Sequence, residues 1–274
     1  MRLAAIISCV ILSCSVASAA GPFGNDACSP DCYVSTTGND QTGNGTQGQP
    51  WKTLMKCFNE IDAGDTCWFE DGTYLVPEGS SSGSTSAFNE GWDLGGPCVN
   101  GLNASPYYCT RDRQNGGTAA APKKFKAVNT SMAIWKRDSP STPCRSNMLI
   151  RNNVDNMVFQ GIKFANNQWI AENGAANITF TENIFMCPGS NDGSNYSSLF
   201  SGDNVSPGCT GWHVYNNLFM VDGTCVDNHC GVTGGPSFMH MYSQSGSTFE
   251  NNDYLVKAGT PYTMEDGLGF KAVN

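Results

Sequence analysis

Between Phe159 and Tyr254 the chain repeats a six-residue pattern with apolar ends around a polar bend. It reads Phe159-Gln-Gly-Ile-Lys-Phe164, Phe180-Thr-Glu-Asn-Ile-Phe185, Val214-Tyr-Asn-Asn-Leu-Phe219 and Phe249-Glu-Asn-Asn-Asp-Tyr254. The fourth position is Asn183, Asn217 or Asn252 in three copies and Ile162 in the other. The copies start 21, 34 and 35 residues apart (180−159, 214−180, 249−214). A constant short core at variable spacing marks solenoid coils that carry insertions. Each copy predicts a short strand, a tight bend and a second short strand. Asn at the fourth position suits a bend because it tolerates the left-handed region and bonds local backbone. Stacked Asn amides can also bond from coil to coil. A third strand per coil is expected at Gln168–Ala171, Ser198–Ser201, Phe238–Met241 and Gly269–Ala272. Polar insertions at 188–197, 222–237 and 258–267 precede the last three and are expected to wall a groove on one side.

The N-terminal half follows a different pattern. Tyr33-Val-Ser35 predicts a strand, followed by a Gly/Asn/Thr-rich loop to Gln49. Pro50 is expected to open a helix, because Trp51, Leu54, Met55, Phe58 and Ile61 recur at helical spacing. Strands are predicted over 66–69, 73–76, 123–128 and 133–136, and from Met148 onward. The helix is amphipathic and could cover the open end of a β stack, where unpaired backbone invites aggregation.

Composition supports a turn-rich β protein: Gly numbers 31 and only 14% of residues are charged. Met1–Ala19 has the n-region, apolar run and Ala17-Ser18-Ala19 site of a secretory signal. Residues 20–32 read as a linker and 33–274 as one domain. Lys271–Asn274 reads as mid-coil, so the domain is expected to continue beyond Asn274. The leader's apolar run is short for a bilayer and no other span is predicted. Thirteen Cys less Cys9 and Cys14 leaves eleven in the mature chain, an odd number, and export implies disulfides. Close pairs such as Cys28/Cys32, Cys98/Cys109 and Cys225/Cys230 are candidates. Cys225, His229, Cys230 and His240 match no strong zinc spacing, and loop disulfides suit the cysteines better. Asn44, Asn103, Asn129, Asn177, Asn195 and Asn204 open N-glycosylation sequons.

Tyr33-Val-Ser, the Gly/Asn loop, Pro50-Trp-Lys-Thr53, the helix and Gly64-Asp-Thr-Cys-Trp-Phe-Glu-Asp-Gly-Thr-Tyr74 together resemble the N-terminal cap and first coil of the pectate-lyase-like superfamily. With the later coils the resemblance covers most of the mature chain. It implies an all-β fold, a right-handed single-stranded parallel β-helix with an N-terminal capping α-helix. The superfamily's lyases cleave uronic-acid polymers by β-elimination. That chemistry needs a neutralised uronate carboxylate, a base for the C5 proton and a proton for the leaving oxygen.

Gly267-Leu-Gly-Phe-Lys271 is similar to a Gly-x-Gly-Phe-Lys stretch of family 9 pectate lyases, whose Lys is the Brønsted base. The resemblance makes Lys271 the candidate base. The expected register sets His240 beside it, as a further acid or base or as a sugar contact. Family 9 enzymes bind Ca²⁺ through clustered Asp. Asp222, Asp227 and Asp266 are the candidate ligands, with Asp192, Asp203 and Glu265 nearby. The family's adjacent Asp pair is absent. So is the Gly-His-Gly motif of polygalacturonase-type hydrolases, which disfavours inverting hydrolysis. Trp169 and Tyr242 are candidate sugar-stacking residues; Trp212 reads equally well as core.

The formal charge is −9, yet nine of fifteen Lys and Arg lie between Arg111 and Arg151. They could be a landing strip for an acidic polymer or outward residues of solvated strands. Net charge and the absence of a recognition motif disfavour nucleic acid. The expectation is a secreted, monomeric polysaccharide lyase acting on an acidic polysaccharide, with Ca²⁺ as its cofactor. The alternative is a non-catalytic carbohydrate-binding or surface-structural β-helix.

Overall fold

A computed structural model describes residues 27–76, 92–94, 116–137, 148–151, 154–165, 170–173, 175–186, 198–202, 210–221, 237–241, 246–256 and 272–273. It is a parallel β-helix. The chain opens with β1 (Asp31–Val34) and α1 (Leu54–Glu60). Coils of three strands follow. They are β2 (Thr66–Phe69), β3 (Gly72–Val76) and β4 (Trp92–Leu94); β5 (Lys123–Ala127), β6 (Ala133–Arg137) and β7 (Met148–Arg151); β8 (Met157–Gln160), β9 (Lys163–Ala165) and β10 (Ile170–Asn173); β11 (Ile178–Thr181), β12 (Ile184–Met186) and β13 (Ser198–Gly202); then β14 (His213–Tyr215), β15 (Leu218–Val221) and β16 (Ser237–Met241). β17 (Thr248–Glu250), β18 (Asp253–Val256) and β19 (Ala272–Val273) complete the described strands.

Stacking the coils gives three parallel sheets. The first is β1-β2-β5-β8-β11-β14-β17-β19, the second β3-β6-β9-β12-β15-β18, the third β4-β7-β10-β13-β16. The ends of the first three motifs face the interior as expected, with Phe159, Phe164, Phe180, Phe185, Val214 and Phe219 fully buried, and Phe249 opens the fourth at 3% exposed. Equivalent rings stack from coil to coil. Phe125, Phe159 and Phe180 follow one another at 5.2 and 5.0 Å, and Phe164, Phe185 and Phe219 at 4.8 and 4.9 Å. Such aligned apolar rows specify register, since a slip of one residue would turn each strand's apolar face outward. Trp212 proves to be core, 1% exposed, with its Nε1 donating to the Ala175 carbonyl at 3.3 Å.

The bend between first and second sheets divides its work differently from the sequence expectation. The left-handed residue is the third of the motif: Gly161 (φ 71°), Glu182 (57°), Asn216 (56°) and Asn251 (51°). The fourth-position Asn is instead the ladder residue. Asn183 Oδ1 accepts from Ile162 N–H, Asn217 Oδ1 from Asn183 N–H and Asn252 Oδ1 from Asn217 N–H, at 2.9, 2.9 and 3.0 Å. Their Nδ2 groups donate back to the carbonyls of Phe159, Phe180 and Val214. This satisfies buried backbone that a tight corner would otherwise strand.

The helix starts later than expected, at Leu54. Trp51 is already committed to the sheet side: its N–H donates to Tyr33 O and its carbonyl accepts from Ser35 N–H. The Asp40 carboxylate takes the Lys52 and Thr53 N–H groups, and Thr53 Oγ1 caps the helix by accepting from Lys56 N–H. α1 stands in the chain where β1 would otherwise lead into a second and a third strand. It buries Leu54, Met55, Cys57 and Phe58 and lies against β1 and β4. That covers the open end of the stack. Cys57–Cys67 ties the helix to β2, a bridge the sequence pairing missed, while Cys28–Cys32 forms as expected. Cys98, Cys109, Cys225 and Cys230 lie outside the described residues. The strand expected at Tyr33 begins at Asp31, inside the stretch read as a linker.

Candidate functional site

The lengths of the connections single out one side of the solenoid. First-sheet strands pass to second-sheet strands through pairs such as Glu70-Asp71, Gly161-Ile162, Glu182-Asn183, Asn216-Asn217 and Asn251-Asn252. The stacked amides explain this economy. Asn183 and Asn217 are 1% and 2% exposed, and an inserted residue would break their ladder. From β3 to β16 the long segments flank the third sheet. Residues 77–91, 138–147, 187–197 and 222–236 lead into it, and 95–122 and 203–212 lead out. The insertions expected at 188–197 and 222–237 thus lead into one sheet, whereas that at 258–267 lies between β18 of the second sheet and β19 of the first.

Parallel register sets the rows of that sheet. Asp93, Leu149, Ala171, Ser201 and His240 share one row; Leu94, Ile150, Glu172, Gly202 and Met241 share another. Arg151 pairs with Asn173. His240 therefore stands beside Ser201, on the last third-sheet strand among the described residues. Four strand spacings, about 19 Å, separate it from Asp93.

The structure corrects one expected neighbour. Gly269–Ala272 was expected beside Phe238–Met241 in the third sheet. Ala272 instead pairs with Phe249, and Val273 with Glu250, in the first sheet. In register, Ala272 follows Phe125, Phe159, Phe180, Val214 and Phe249 along the first sheet. Lys271, Trp169, Tyr242, Asp222, Asp227 and Asp266 lie outside the described residues. Among the described residues no group of three or more His, Cys, Asp or Glu could hold a metal ion.

The basic cluster separates into distinct roles. Lys123 is 4% exposed; its Nζ donates to the Phe58 carbonyl at 3.1 Å and lies 4.9 Å from the Phe58 ring centroid. It is an anchor for α1. Lys124 and Lys126 alternate with the inward Phe125 and lie on the outer face of the first sheet. Lys126 Nζ lies 5.7 Å from the Trp68 ring centroid. The sequence reading missed the pairing of Lys126 with Trp68, because it depends on which strand follows which in the sheet.

No protein-family model and no curated protein matches the chain. Two solved structures are similar to it. A rhamnogalacturonan lyase shares 17% identity at a TM-score of 0.48, over 88% of this chain and 61% of its own length. A pectate lyase, Pel9A, shares 15% at 0.47, over 82% of this chain and 49% of its own length. The chain spans about three fifths and about half of those two proteins.

Proposed function

We propose that the protein is a secreted polysaccharide lyase that cleaves a uronic-acid polymer by β-elimination, with Lys271 as base and His240 beside the leaving oxygen. The observation that supports this reading most is the third sheet itself, the one that the long insertions flank. The chain leaves the second sheet at Val256 and resumes in the first at Ala272. Every earlier coil makes that passage by way of the third sheet, which carries His240 and is flanked by the long insertions. Lys271 directly precedes Ala272 in the chain and is proposed as the base from its Gly-x-Gly-Phe-Lys context.

In the proposed step the neutral Lys271 amine takes the C5 proton. The C–H electron pair forms the C4–C5 double bond and the C4–oxygen bond breaks. The leaving oxygen takes a proton from water or from His240. A lysine does this only if desolvation or a nearby positive charge holds part of it neutral. Ca²⁺, where bound, would neutralise the uronate carboxylate; Asp222, Asp227 and Asp266 are its proposed ligands. Trp169 and Tyr242 are proposed to stack on sugar rings.

The test is to incubate the secreted protein with polygalacturonate, alginate and chondroitin, with Ca²⁺ or with chelator, and follow ultraviolet absorbance of the unsaturated uronate. Absorbance should rise with one polymer, and Lys271→Ala should abolish the rise while leaving folding intact. Glycan retention without product from any of the three would replace this reading with that of a binding protein.

A further inference from the structure

We propose that the outer face of the first sheet, at its N-terminal end, is a second binding site for an anionic polysaccharide, apart from the third-sheet groove. The inference rests on the proposed substrate class but not on the catalytic residues. Parallel register sets Tyr33, Trp68, Lys126 and Gln160 side by side on successive strands. Neighbours in such a row stand about 4.8 Å apart. Lys124 lies on the same face, two residues before Lys126, about 7 Å along the strand. Tyr33, Trp68, Lys124, Lys126 and Gln160 are all half-buried, so each presents part of its side chain to solvent.

Three features distinguish this patch from an ordinary solvated sheet. The first is a fixed ring: Trp68 Nε1 donates to Asp31 Oδ1 at 2.7 Å, which orients the indole. The second is unspent charge. Neither Lys124 nor Lys126 has an ion-pair partner among the described residues, where the one ion pair is Lys56–Glu60. Both carboxylates at the patch are engaged: Asp31 accepts from the indole, and Glu182 Oε2 accepts from Gln160 Nε2 at 2.8 Å. The third is confinement. Further along the face the same two rows read Val158 and Gln160, Thr179 and Thr181, His213 and Tyr215, then Thr248 and Glu250, with no further lysine or arginine. On a chain of net charge −9, two lysines without a carboxylate partner among the described residues, beside Tyr33 and Trp68, match a polymer of rings that carry carboxylates. Sugar ring faces lie on Tyr33, while Lys126 Nζ, held over the Trp68 ring, and Lys124 Nζ pair with the carboxylates.

The site is tested by native gel electrophoresis of the full chain through polygalacturonate, with a neutral galactan gel as control. Polygalacturonate should retard the wild type, and galactan should not. The double variant Lys124→Gln/Lys126→Gln should be retarded about 10-fold less at equal polymer concentration, a loss of about 1.4 kcal/mol. Its melting temperature should be unchanged, since neither lysine is a buried partner. Trp68→Phe, which keeps a ring but loses the Asp31 bond, should weaken retention less than the double variant. Undiminished retention of the double variant, no retardation of the wild type, or equal retardation by galactan would each overturn the proposal. The ultraviolet assay runs in parallel. Loss of retention with no product formed by the wild type upholds this site and removes the lyase reading. Product formed with retention unchanged in the variant does the reverse.

Discussion

Replacing Asn217 with Ala removes the central amide of the ladder, and the structure sets the size of the loss. Asn217 is 2% exposed. Its Oδ1 accepts from the Asn183 backbone N–H at 2.9 Å and from Asn183 Nδ2 at 3.1 Å. Its Nδ2 hydrogens are shared among the Phe180 and Tyr215 carbonyls and Asn252 Oδ1, each at 3.0 Å. Some partners keep alternatives: Asn183 Nδ2 retains the Phe159 carbonyl, and Asn252 Oδ1 retains the backbone N–H of residue 217. The Asn183 N–H loses its acceptor. An orphaned buried donor costs about 1–3 kcal/mol, and each further lost bond about 1 kcal/mol. The sum is about 3–5 kcal/mol, a large share of the roughly 5–15 kcal/mol typical of a native domain. Asn252→Ala, by contrast, strips one part-buried rung and should cost about 1–3 kcal/mol. Urea unfolding followed by far-ultraviolet circular dichroism measures both. A loss below about 1 kcal/mol for Asn217→Ala, or one no larger than that of Asn252→Ala, would refute the view that the amide stack holds this corner.

Tyr74 lends itself to a pH test. Its hydroxyl lies 2.9 Å from the Val34 carbonyl and 2.8 Å from that of Glu70. Burial first, then the Glu70 and Asp71 carboxylates, push the phenol well above the ordinary tyrosine range. A raised folded-state value means this stability is complete below the unfolded value of about 10 and is lost as pH rises beyond it. Thermal melts from neutral to alkaline pH should therefore show a steeper alkaline decline in the wild type than in Tyr74→Phe; parallel curves would discard the assignment. At Gly161 (φ +71°) a built Cβ stays 3.5 Å or more from its neighbours, so the cost of Gly161→Ala is conformational. It should be about 1–2 kcal/mol, and Gly161→Asn should cost less, since Asn216 and Asn251 hold the same place in later coils. Equal urea midpoints for the two variants would contradict this.

The repeat was legible because its information is local. Phe159, Phe164, Phe180, Phe185 and their equivalents alternate with polar positions over a few residues, and that alternation specifies which side of a strand is buried. The tight bends and the amide stack could be read from the same stretch. Which bend residue is left-handed could not: Asn216 and Asn217 are the same residue type, and the division of labour is decided by where the next coil's N–H and carbonyl lie. The helix start was misplaced for a similar reason. Trp51 fits the helical period, but its backbone is claimed by β1, far back in the chain.

Sequence alone determined the solenoid, its short strands, its buried rows and the stretches that would carry insertions, because each follows from periodicity and composition within a window. Tertiary structure alone decided which sheet a strand joins and which residues from different coils become neighbours. Alternation reports inward and outward but not which of three sheets a strand occupies. Ala272 could therefore be read as third-sheet until pairing placed it beside Phe249. The same holds for Lys126 and Trp68, for Lys123 and the Phe58 carbonyl, and for Cys57 and Cys67. Each pair is brought together by stacking one coil on the next, and the spacing between its members along the chain records the length of the loops between them, not their separation in space.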